Sequence, residues 1–112
     1  ERKLDVIMIS NTLQYLENPY QWLNCFINSK IDYIFVDTAT FSRNQDEYIT
    51  IQKVPNHIYK ASYPLHILDQ RNVMNLFLQS GYKLSHRIPV TNDAETKDFF
   101  FESLLFKKLD VD

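Results

Sequence analysis

Two short polar segments, Ser10-Asn11-Thr12-Leu13-Gln14-Tyr15 and Asp37-Thr38-Ala39-Thr40-Phe41-Ser42-Arg43, hold the residues of this 112-residue chain best suited to chemistry. Each follows a run of apolar, β-favouring residues, so each is expected at the carboxyl end of a strand, where ligands collect in open α/β sheets. Small polar residues also cap turns and helix starts without binding anything, which is the competing reading for any one of them. Asp37 could serve as a general base, as a hydrogen-bond acceptor or as a partner for Arg43. A solvated carboxylate at a strand end is the simpler alternative.

His57 falls by an expected turn with Tyr59 and Tyr63, a grouping that could rim a substrate pocket or pack as an aromatic surface on the next helix. His57, His66 and His86 have no repeated ligand spacing and no accompanying carboxylate cluster, so no metal site is expected. His86 reads as a core histidine on the apolar face of its strand. Cys25 reads as a packing residue within a helix and, as the only cysteine, excludes an intrachain disulfide and a paired-cysteine zinc site. Gly81 is the only glycine, whereas loops that cradle a cofactor's phosphates need several, so that backbone amides can approach the ligand. The main anchor of any nucleotide-type cofactor is therefore expected in sequence N-terminal to Glu1, with these residues forming one wall of a crevice.

The elements that must position these residues follow from pattern. Residues 6–9 are a continuous apolar run, expected as a strand buried on both faces of a parallel sheet. Asn18-Pro19 starts a helix in which Trp22, Leu23, Phe26 and Ile27 recur at helical spacing. Residues 31–36 form a second buried strand, and the strand, helix and strand make a crossover unit. Residues 47–54 alternate, and Pro55-Asn56 turns them into residues 57–60, a short hairpin. Asp69 caps a second helix with Val73, Leu76 and Phe77 on one face and Gly81 at a left-handed C-cap. Residues 83–90 alternate, but Pro89 lacks a ladder donor, which moves that strand to a sheet edge. Residues 99–106, apolar on both faces, place the last strand inside the sheet with helices on either side. The short, turn-rich link between the last two strands makes them antiparallel neighbours.

Composition bounds the rest. A chain of this length is one domain or part of one, and 45% hydrophobic residues with 14% aromatics suffice to bury a core. Twelve basic and fourteen acidic residues are scattered to a net charge of -2, leaving no extended positive field for nucleic acid. No apolar run approaches the roughly 20 residues that span a bilayer, and no signal-peptide pattern is present. With a lone cysteine, these features point to a cytoplasmic protein. Because the first apolar run starts almost at once after Glu1, residues 1–112 are expected to be a single partial domain of a larger fold.

The run Leu4-Asp5-Val6-Ile7-Met8-Ile9-Ser10-Asn11-Thr12-Leu13-Gln14-Tyr15-Leu16-Glu17-Asn18-Pro19, followed by the helix and Tyr33-Ile34-Phe35-Val36-Asp37, resembles the second half of a class I S-adenosylmethionine-dependent methyltransferase. Gln52-Lys53-Val54-Pro55, Ile58-Tyr59 and Ala61-Ser62-Tyr63-Pro64 are similar to segments of a bacterial methyltransferase family of unassigned substrate. The resemblance implies the C-terminal half of a Rossmann-like α/β sheet: parallel strands with helices on the faces, last two strands antiparallel, plus an inserted hairpin. It implies S-adenosylmethionine as cofactor, with Ser10, Asn11 and Gln14 on the cofactor side. Asp37, Thr38, Arg43, His57, Tyr59 and Tyr63 would face a small or carbohydrate-linked acceptor, with Asp37 the one candidate for a catalytic role. Without the glycine-rich loop, the isolated chain is expected neither to hold the cofactor firmly nor to turn over. The alternative is a non-catalytic α/β binding or assembly module, in which an exposed strand edge favours a homodimer.

Overall fold

The first described element is the apolar strand β1, Val6–Ser10, which runs into a 3-10 turn at Leu13–Tyr15 and then helix α1, Pro19–Asn28. This is a computed structural model, and it describes residues 5–54, 61–91 and 98–110. Pro19 suits the first helical position, because the N–H it lacks would have no intrahelical partner there. Leu23 and Ile27, four residues apart, put one stripe of α1 into the core, while Trp22 and Cys25 are exposed. Cys25 is thus a surface thiol rather than the expected packing residue, since the buried stripe runs through positions 19, 23 and 27 and misses it.

Strand β2, Tyr33–Ser42, returns parallel to β1 with Val6 opposite Tyr33 and Ser10 opposite Asp37. A hairpin of β3, Tyr48–Val54, and β4, Ala61–Ile67, follows. Its second described strand is residues 61–67, and the expected turn at Pro55-Asn56 and strand at 57–60, with His57 and Tyr59, lie outside the described residues. Beyond β4, Leu68 pairs alongside Phe41: Ser42 N–H donates to the Leu68 carbonyl at 2.8 Å and Leu68 N–H to the Thr40 carbonyl at 3.0 Å. The hairpin is thereby anchored beside the part of β2 that extends past the end of β1.

Helix α2, Gln70–Gln79, starts at Asp69, whose side chain accepts from Arg71 N–H at 3.0 Å, and ends before Gly81 at φ +88°. Both termini match their sequence signals, because a cap and a left-handed glycine act locally. Strands β5, Tyr82–Val90, and β6, Phe99–Lys108, complete a mixed four-stranded sheet in the order β1-β2-β6-β5, with β6 antiparallel to both neighbours. The interior place of β6 and the edge place of β5 are as expected from the apolar run and from Pro89.

Ile34, Val36, Leu104 and Phe106 bury one sheet face against Leu23 and Ile27 of α1 and Val73 and Phe77 of α2. Phe77 stacks on Phe106 with centroids 3.8 Å apart and meets Tyr82 edge-on. Both described helices therefore lie on the same face, not on either side of β6. The opposite face leaves Val6 61% and Met8 60% exposed, so β1 is buried on one side only. A bulge between Leu84 and His86 shifts β5 by one residue and turns His86 off the core face. His86 is exposed, where its strand pattern suggested burial. Among the described residues, no helix is long and apolar enough to cross a membrane.

Candidate functional site at the bulge of the second strand

Strand β2 does not stop at Asp37 but continues five residues further, to Ser42. On β6, Leu104 faces Val36 and Glu102 faces Ala39, so Asp37 and Thr38 together oppose the single residue Ser103. A bulge of this kind disrupts the ladder locally. Here Thr38 N–H donates to Ser103 Oγ at 2.8 Å, and Ser103 Oγ donates onward to Asp37 Oδ1, also at 2.8 Å. Thr38 sits at φ +55°, a left-handed conformation rare for a β-branched side chain. Strain of this sort costs about 1–3 kcal/mol and persists where the surroundings over-determine it, most often at functional sites.

The other strand supplies the remaining partners. Ser10, the last residue of β1, lies opposite Asp37, and its Oγ donates to Oδ2 at 2.6 Å. Thr38 Oγ1 donates to Oδ1 at 3.2 Å. The Ser10 hydrogen bond first, and the Ser103 bond second, hold the Asp37 carboxyl below its ordinary range; burial opposes them, and Thr38 adds a smaller lowering. Asn11 turns the chain off β1 at φ +49°, with its N–H donating to the Asp37 carbonyl at 2.8 Å. Gln14, fully buried in the 3-10 turn, donates from Nε2 to Asn11 Oδ1 at 2.8 Å. Its Oε1 is buried without a hydrogen-bond partner among the described residues.

The structure thus brings Ser10, Asn11, Gln14, Asp37 and Thr38 into one hydrogen-bonded group. Arg43 is not part of it: it lies past the far end of β2, its guanidinium 5.3 Å from the Phe100 ring and its N–H donating to the Asp98 carbonyl. Asp37 is therefore held by hydroxyls, not by an ion pair with Arg43. Tyr63 lies in β4 opposite Gln52. Ser103 was missed by the sequence reading, although a hydroxyl inside the apolar run 99–106 was its visible trace.

No family model, curated protein or solved structure matches this chain. The geometry alone indicates what the group can do. Asp37 is ionised at neutral pH, and its lowered pKa makes it a poor proton acceptor there but a strong hydrogen-bond acceptor. Of its three hydroxyl donors Ser103 is buried and Ser10 exposed, so the Ser10 side of the carboxylate is the one open to a ligand hydroxyl or amine. Among the described residues, no three histidine, cysteine or acidic side chains converge as a metal site would require.

Proposed function

We propose that this chain is the C-terminal part of a Rossmann-like, S-adenosylmethionine-dependent methyltransferase whose glycine-rich cofactor loop comes from sequence outside these 112 residues. The observation that carries the reading is the order β1-β2-β6-β5, with the first pair parallel and β6 antiparallel between its neighbours. That order supports the resemblance carried by residues 4–19 and 33–37, which implied parallel strands followed by two antiparallel ones. An antiparallel pairing of β1 with β2 would have ended it.

In this reading S-adenosylmethionine supplies the methyl group, and the protein aligns a small or carbohydrate-linked acceptor for in-line displacement while excluding water. Ser10, Asn11 and Gln14 line the cofactor side, and Asp37 with Thr38 faces the acceptor. The lowered pKa of Asp37 assigns it to holding an acceptor hydroxyl or amine rather than removing its proton. Calorimetric titration of the full-length protein with S-adenosylmethionine tests the proposal. Saturable binding weakened by Gln14→Ala is expected, and absence of binding overturns it.

A second reading, a non-catalytic homodimeric module, is favoured by the edge of β1. Among the described strands β1 pairs only with β2, beside the exposed Val6 and Met8. Sedimentation equilibrium of the full-length protein separates the two: a dimer dissociated by Val6→Lys supports the module, and a monomer counts against it.

A further inference from the structure

Away from the bulge, an open cleft of about 670 Å³ lies between the start of α1 and the hairpin. Its size falls in the range of small-molecule sites. Pro19, Ile67 and Leu68, all buried, form an apolar floor, while Glu17, Glu47 and His66 stand among its walls. Among the described residues, neither lysine nor arginine lines it.

Glu47 is held in place by three donors from the starts of α1 and α2. Its Oε2 accepts from the Tyr20 hydroxyl, from Asp69 N–H at 2.9 Å and from Asn72 Nδ2 at 3.4 Å. None of these donors carries a formal charge, so they orient the carboxylate with only the partial positive charge of the α2 N-terminus to offset it. Burial, and after it the hydrogen bond to Glu47 and its negative charge, push the Tyr20 phenol well above its ordinary pKa, which keeps the hydroxyl a donor. The anchored Glu47 carboxylate and the exposed Glu17 both line the cleft, with neither lysine nor arginine among the described lining residues, and so place negative charge beside an apolar floor.

We propose that this cleft binds a small molecule carrying a protonated amine on a compact apolar frame. The frame lies on Pro19 and Leu68, and the ammonium is drawn between Glu17 and Glu47. Anionic ligands such as phosphates and carboxylates are repelled by the same pair. The site does not depend on methyl transfer, so its failure and the failure of the transferase reading are separable.

Three probes of matched size test the assignment by amide-shift titration of the intact chain at neutral pH: benzylamine, benzyl alcohol and benzoate. Benzylamine is expected to shift Tyr48, His66 and Leu68 and to bind about tenfold more tightly than benzyl alcohol, a difference of one well-placed charge. Glu17→Gln, an exposed change that leaves the Glu47 contacts intact, should weaken benzylamine by about threefold, as expected for a solvent-accessible ion pair, and leave benzyl alcohol unaffected. Equal binding of amine and alcohol, preference for benzoate, shifts confined to other residues, or no binding of benzylamine would each overturn the proposal.

Discussion

On one face of the four-stranded sheet, Ile34, Val36, Leu104 and Phe106 are sealed under α1 and α2; on the other, Ser10, Asp37 and Ser103 form a polar row beside exposed Val6 and Met8. The same strands build both faces, so composition does not separate them. Alternation does, and the bulge at Asp37 and Thr38 resets it. Upstream of it Ile34 and Val36 face the helices, and downstream of it Ala39 and Phe41 do. Strict alternation through these residues, with no bulge, would put Phe41 on the same face as Asp37. One inserted residue thus returns Ala39 and Phe41 to the dry core, while Asp37 faces the opposite side by ordinary alternation from Val36, so the packed face and the carboxylate meet at the same bulge.

The contrast can be broken most severely from the dry side. Phe77→Ala removes the ring stacked on Phe106 and should cost about 3–5 kcal/mol, as large-to-small core changes do when the cavity cannot collapse. A urea midpoint shift well below that would mean that the packed face tolerates a void, and the distinction between faces would lose its basis.

On the polar face, Asp37→Asn weakens charge-assisted bonds to three hydroxyls and should cost about 1–2 kcal/mol. The pH dependence has a definite sign. A carboxyl whose pKa is lowered in the folded state contributes stability that is complete above its unfolded value of about 3.9 and is lost as pH falls through the folded pKa. Urea midpoints measured between neutral and strongly acidic pH should therefore converge for wild type and Asp37→Asn only at the acid end. A constant gap across that range would show that Asp37 acts through packing rather than charge.

The smallest effect is expected at Met8. Met8→Ser should change stability by no more than about 0.5 kcal/mol, because the side chain is already mostly in water. A larger loss would sharpen the comparison in another direction, by showing that this face is covered in solution.

Much of this arrangement was legible in local pattern. The cap at Asp69, the left-handed Gly81, the apolar stripe of α2 and the edge position announced by Pro89 each depend on residues a few positions apart. Ser10, Asn11, Gln14, Asp37 and Thr38 were legible as polar residues following apolar runs. The misreadings share a cause. His86 was assigned to the core by strict alternation, which the bulge in β5 interrupts. The apolar run ends the second strand at Val36, before the charged Asp37, although the ladder to β6 resumes at Ala39.

The sequence by itself determined the order of strands and helices, the helix termini and the polar character of the strand ends, since propensity, capping and periodicity act over a few residues. Only the tertiary structure decided that Ser103, 66 residues away, meets Asp37, and that Glu47 joins Tyr20 to the start of α2. A bulge exists only relative to the partner strand's residue count, and a carboxylate's partners are set by whichever donors packing delivers. Neither quantity is a property of a local stretch of chain.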